Sequence, residues 1–163
     1  MGSKGLVLLA ALALSLDGAG DAALDRATLR GITAINVVTD PVAPEIGKEG
    51  ATADTLRQRL EQRLREAGIQ IDPSSNVFVA LRLTGVQAGH SKFSMRAPFA
   101  IAASIGLYQP VTLVREPDVK TATQTWEVDT VVLADPKQVD QACLDSVDQL
   151  AARFVTAYRS VNK

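Results

Sequence analysis

Phe99–Arg115 reads FAIAASIGLYQPVTLVR, and its side chains alternate. Phe99, Ile101, Ala103, Ile105, Leu107, Val111 and Leu113 fall on one side, and Ala100, Ala102, Ser104, Gly106, Tyr108 and Thr112 on the other. A period of two with one apolar side predicts a strand that covers a core with one face and leaves the other open. Pro110 cannot donate to a ladder, so it predicts an edge or a bulge. Both neighbouring segments repeat the pattern. Asn76–Thr84 sends Val77, Val79, Leu81 and Leu83 one way and Phe78, Ala80, Arg82 and Thr84 the other. Thr121–Leu133 sets Ala122, Trp126, Val128 and Val132 against Thr121, Thr123, Thr125, Glu127 and Asp129. The polar stretch Gly85–Ala97 and the segment Glu116–Lys120 read as the connections. Links this short predict an antiparallel meander.

Outward from this centre, Leu29–Thr39 is rich in Ile and Val and predicts a further strand. Asp40–Gly50 holds two Pro and two Gly and predicts a loop. In Ala51–Ala67, Leu56, Leu60, Leu64 and Ala67 recur at helical spacing. Thr52 suits the N-cap, and Gly68 followed by Ile69 suits the C-terminus. A last helix is predicted from Asp135 as N-cap and Pro136 at its first position, with Gln138 at capping-box spacing. Its apolar stripe is Val139, Cys143, Val147, Leu150, Phe154, Val155 and Tyr158. The predicted fold is α+β: a two-layer sandwich in the order β-α-β-β-β-α. A mostly antiparallel four-stranded sheet carries two helices on one face.

The amino terminus has a different character. Lys4 precedes an apolar run of 12 residues, Gly5–Leu16, and Asp17–Ala23 is small and polar. This is the layout of a secretory signal. A spanning helix needs about 20 apolar residues, and Asp17 ends the run earlier. Residues 1–22 are therefore read as a signal peptide and 23–163 as a single α+β domain, with an uncleaved anchor as the alternative. Small residues allow cleavage after Gly20, Ala22 or Ala23. No Cys stands near residue 20, so no acylation site of the lipoprotein type is present. The expected location is periplasmic or secreted.

Composition narrows the chemistry. Hydrophobic residues make up 47% of the 163 and charged residues 21%, which excludes a disordered polar tail and a multi-span membrane protein. A net charge of −1 and 4% aromatics leave no basic, stacking surface for nucleic acid. Cutting after Ala22 removes Lys4, Asp17 and Asp21 and leaves a formally neutral chain. One Cys and one His supply neither an internal disulfide nor a His/Cys metal set. His90 lies in a Gly/Ser/Lys stretch and reads as a loop residue. Cys143 falls in a helix stripe and reads as a small core residue. No P-loop, G-x-G-x-x-G or nucleophile elbow occurs. Glu127 and Asp129, two apart on one strand, form the best carboxylate pair, and a solvated strand face explains them more simply than acid–base work. Arg57, Arg59, Arg63 and Arg65, interleaved with Glu61 and Glu66, read as an ion-paired helix face, with an anion or lipid-headgroup site as the alternative. No catalytic residue, cofactor or metal is expected.

The open sheet face is the one distinctive surface. Small residues on Phe99–Leu113 would leave it flat, fit for another protein, a second copy or an acyl chain. The candidate binding face is Ala100, Ala102, Ser104, Tyr108, Arg82, Thr125 and Glu127.

RGITAINVVTD followed by TLRQRLEQRLREAGIQID resembles the opening strand–loop–helix–Gly unit of the TolB N-terminal domain. It is also similar to auxiliary lipoproteins of ABC-type transport systems. The later segments LYQPVTLVRE, TATQTWEVDT and AYRSVN resemble uncharacterised exported bacterial envelope proteins. The resemblance implies a periplasmic accessory role and brings no catalytic residues. The missing acylated Cys departs from the lipoprotein pattern and puts a lipid tether in doubt. The expected function is that of an exported, non-catalytic accessory module of the cell envelope contacting a protein partner or forming a homodimer. One alternative is a periplasmic carrier of a small apolar or lipidic ligand held between sheet and helices. Another is a subunit of a membrane complex, reaching the membrane only through the N-terminal segment.

Overall fold

The computed structural model describes residues 20–88 and 97–162. The apolar run 5–16 and His90 lie outside the described residues. Among the described residues the sheet has five strands: β1 (Ala34–Thr39), β2 (Gln70–Ile71), β3 (Phe78–Gln87), β4 (Phe99–Leu113) and β5 (Glu116–Ala134). Their spatial order is β2-β1-β3-β4-β5. The helices are α1 (Ala23–Ala27), α2 (Pro44–Gly47), α3 (Ala53–Glu66) and α4 (Val139–Val161).

The α+β class and the two main helices are as expected. The sheet differs in two respects. It has a fifth strand, Gln70–Ile71, too short to leave a periodic signal. It is also mixed: β1 runs parallel to both β2 and β3, and only β3-β4-β5 form the antiparallel meander. The reason is α3. A helix that follows a strand and packs back on the sheet returns the chain in the same direction, which makes the next strands parallel. The first strand also begins later than its composition suggests. Leu29 and Ile32 are buried from an irregular approach segment, where Tyr158 Oη donates to Ile32 O at 2.8 Å and Asn162 Nδ2 to Leu29 O at 2.9 Å.

α3 forms where the leucine spacing places it. Thr52 Oγ1 accepts from the Thr55 amide at 3.2 Å and so caps it. Gly68, at φ +85°, lets the Ile69 amide turn back to Leu64 O at 3.0 Å. Leu56, Leu60 and Leu64 are fully buried against the sheet. α4 starts at Val139, after a 3₁₀ turn over Pro136–Gln138, and Asp135 makes no side-chain cap. Its Val147, Leu150 and Phe154 are fully buried beside Trp126, whose ring meets Phe154 edge-on at 5.2 Å. α3 and α4 are locked together by Asp148. Arg59 and Arg63 both reach its two carboxylate oxygens, at 2.6–2.8 Å.

The expected loops are shorter than read. β3 continues through Gly85 to Gln87, and β5 begins at Glu116, so only Val114 and Arg115 turn between β4 and β5. Gly85 has a packing reason to be in a strand. A Cβ there would lie 2.5 Å from Ile46 Cδ1, and Ile46, carried by α2 in the Pro-rich segment, is fully buried.

Candidate functional site

The sheet face that none of the described helices covers is laid out in cross-strand rows. At one end are Phe78, Tyr108 and Gln124, then Ala80, Gly106 and Glu127, then Arg82, Ser104 and Asp129. Next come Thr84, Ala102 and Val131, and last Val86, Ala100 and Leu133. The rows divide the face into three zones. The first is aromatic: Phe78 and Tyr108 stack with centroids 5.1 Å apart, and Tyr108 Oη donates to Gln124 Oε1 at 2.6 Å. The middle is polar, with a cation on β3 and carboxylates on β5. Arg82 Nε donates to Asp40 Oδ2 at 2.9 Å, and a recess of about 230 Å³ runs between Arg82, Glu127 and Asp129 over Ser104. The last zone is apolar and open. Val86, Val131 and Leu133 are 70%, 68% and 79% exposed.

Six of the seven expected face residues share this surface: Ala100, Ala102, Ser104, Tyr108, Arg82 and Glu127. Thr125 does not. The register shifts between Leu107, opposite Trp126, and Tyr108, opposite Gln124, so Thr125 is the extra residue of a β-bulge. Its Oγ1 accepts from Gln109 Nε2 at 2.9 Å, and the same nitrogen donates to Thr28 O at 3.2 Å, on the helix-covered side. The bulge reverses the phase of the strand, so Thr121 and Thr123 also leave the side of Glu127, and Gln124 takes their place. No pattern in the sequence marks that inserted residue. The alternation of Glu127 and Asp129 continues to Val131 and Leu133, which the sequence reading assigns to no face, and Val86 lies in a stretch read as loop.

The other candidate groups separate cleanly. Each arginine of α3 meets a carboxylate: Arg57 pairs Glu61 at 2.8 Å, Arg65 pairs Glu61 at 2.8 Å, and Arg59 and Arg63 share Asp148. The ion-paired reading of that helix therefore describes its geometry. Hydrogen bonds from Arg63, aided by Arg59, outweigh burial and hold the Asp148 carboxyl far below the usual carboxylate range. Cys143 is fully buried, and burial, with Asp140 nearby, pushes its thiol up to about 11. Among the described residues, no group of three His, Cys, Asp or Glu side chains could hold a metal ion. Among them too, no helix is long and apolar enough to cross a membrane.

No protein-family model matches the chain, and no curated protein matches it in sequence. Similar solved structures include a PelC dodecamer from Paraburkholderia phytofirmans, 9% identical, with 74% of this chain and 85% of that chain covered and a TM-score of 0.44. A minor lipoprotein from Acinetobacter baumannii is 10% identical, with 78% and 91% covered and a TM-score of 0.41. The rare lipoprotein B from Shewanella oneidensis is 15% identical, with 77% and 94% covered and a TM-score of 0.37. The resemblance to the TolB N-terminal domain gains no support from a family model.

Proposed function

We propose that this protein is an exported, non-catalytic accessory module of the bacterial cell envelope that docks a protein partner on its open sheet face. The observation that carries the proposal is the apolar zone of that face. Val86, Val131 and Leu133 stand in adjacent rows, largely exposed, around the small side chains of Ala100 and Ala102. Scattered apolar residues on a surface need no explanation, but a contiguous patch on a flat sheet marks a contact surface. The polar middle, with Arg82 facing Glu127 and Asp129 across β4, would fix the orientation of whatever docks.

The export part of the proposal is supported by the Lys4–Ala23 layout. The carrier alternative is less well supported, because Leu56, Leu60, Leu64, Val147, Leu150 and Phe154 fill the layer between sheet and helices where a ligand would lie. The test is purification of the tagged chain from the envelope fraction beside a Leu133→Glu variant. A stoichiometric protein that accompanies the first and not the second supports the docking face. Equal recovery with both overturns it.

A further inference from the structure

Asp21, two residues before α1 begins at Ala23, is a working part of the fold. It is 6% exposed. Its Oδ1 accepts the indole N–H of Trp126 at 2.7 Å and the Nε–H of Arg26 at 2.8 Å, and its Oδ2 accepts from Arg26 Nη2 at 2.9 Å. Trp126 is itself 1% exposed, at the centre of the core beside Phe154. The flanking backbone is engaged too. Gly20 O accepts the amide of Glu127 on β5 at 3.1 Å, and Ala22 O accepts the amide of Arg26 at 2.9 Å, closing the first turn of α1.

Cleavage after Ala22 or Ala23 would remove all of these acceptors at once. It would leave a buried indole N–H without its acceptor and a first helical turn without its carbonyl. Buried donors in native structures are satisfied, and an orphaned one is costly. Upstream of Asp21, Gly18, Ala19 and Gly20 supply the small residues that a signal peptidase requires.

We propose that the processing site lies on the amino side of Asp21, either within the few residues before Gly20 or at the Gly20–Asp21 bond, which gives up only the Gly20 O bond to β5, so that the mature chain keeps Asp21 as the clasp of Trp126. The inference rests on the reading of residues 5–16 as an export leader. It adds where that leader ends and why the fold requires the end to be there.

The experiment expresses the full chain with its own leader in a Gram-negative host and determines the intact mass of the chain in the periplasmic and cytoplasmic fractions. The expected product is periplasmic and begins between Asp17 and Asp21. A periplasmic product that begins at Ala22 or later overturns the inference, and so does an exported chain of full length. Retention of the whole chain in the cytoplasm removes the export reading itself, which separates the two failures. A second arm puts Asp21→Ala and Asp21→Asn into the same full chain. Trp126 is the single tryptophan, so emission reports this site alone. Asp21→Ala is expected to lower the melting temperature by about 5 °C or more and to shift emission to the red as water reaches the indole. Asp21→Asn, which keeps an acceptor for the indole, is expected to shift emission less. Melting and emission unchanged in Asp21→Ala would overturn the clasp and the inference with it.

Discussion

Val86 on β3 and Leu133 on β5 flank Ala100 in a single cross-strand row, both largely exposed, on the face of the sheet that none of the described helices covers. The same three strands turn Gly85, Ile101 and Val132 in the adjoining row towards the other side, where Ile46 of α2 lies over Gly85, Ile101 is fully buried and Val132 is partly buried against the core. The sheet is therefore apolar on both sides at this end, and the described residues cover only one of them. That asymmetry separates this end from the Arg82–Ser104–Asp129 row, where the open side is polar.

Acid should weaken the fold through Asp148. Its folded-state pKa is depressed by Arg63 and Arg59, so its contribution is complete above the unfolded value of about 3.9 and is lost as pH falls below it. In urea titrations, the stability difference between the native chain and Asp148→Asn should be largest near neutral pH and shrink towards about pH 2. Asp21, also held below the usual range, adds to the acid loss in both chains. A difference that stays constant from neutral pH to about pH 2 would show that the two arginines do not hold the carboxylate in solution.

Cys143 should be inert in the native protein. With its thiol pushed up to about 11, the thiolate fraction at about pH 8 is on the order of one in a thousand, and the sulfur is fully buried. A chromogenic disulfide reagent should leave it unmodified in buffer and label one thiol per chain in denaturant. Stoichiometric labelling of the folded protein within minutes would contradict its placement in the α4 stripe.

Ile46 and Gly85 should be coupled. Ile46→Ala removes a fully buried side chain and should cost about 3 kcal/mol. Gly85→Ala should destabilise the native chain, because its new methyl meets Ile46 Cδ1, and should cost at least about 0.5 kcal/mol less when Ile46 is already Ala. Additive effects in that double-mutant cycle would mean the two do not touch.

Much of this architecture can be read from the chain, because alternation over Phe99–Leu113 and the leucine spacing of α3 are direct records of burial. What escapes has a physical cause in each case. Gln70–Ile71 is held at the sheet edge by β1 and needs no pattern of its own. The parallel pairing of β1 depends on where α3 packs, which no local segment specifies. The face assignment of Thr121, Thr123 and Thr125 fails at one inserted residue, since a bulge reverses every side chain beyond it. Val86 escapes because Gly85 looks like a loop glycine until Ile46 is seen to occupy the space above it. The arginines of α3 show the reverse case. Their partners Glu61 and Glu66 are legible at helical spacing, whereas Asp148, 85 residues beyond Arg63, is not.

The docking face is tested most directly by photo-crosslinking in living cells of the organism that makes this protein. A photoreactive residue is placed at position 133 on the open face and, in a second chain, at the exposed position 62 on α3. The account predicts one discrete protein adduct from position 133 that disappears when Val86→Glu and Val131→Glu are added. It predicts none from position 62. Adducts of equal yield from both positions, or none from position 133, would contradict it.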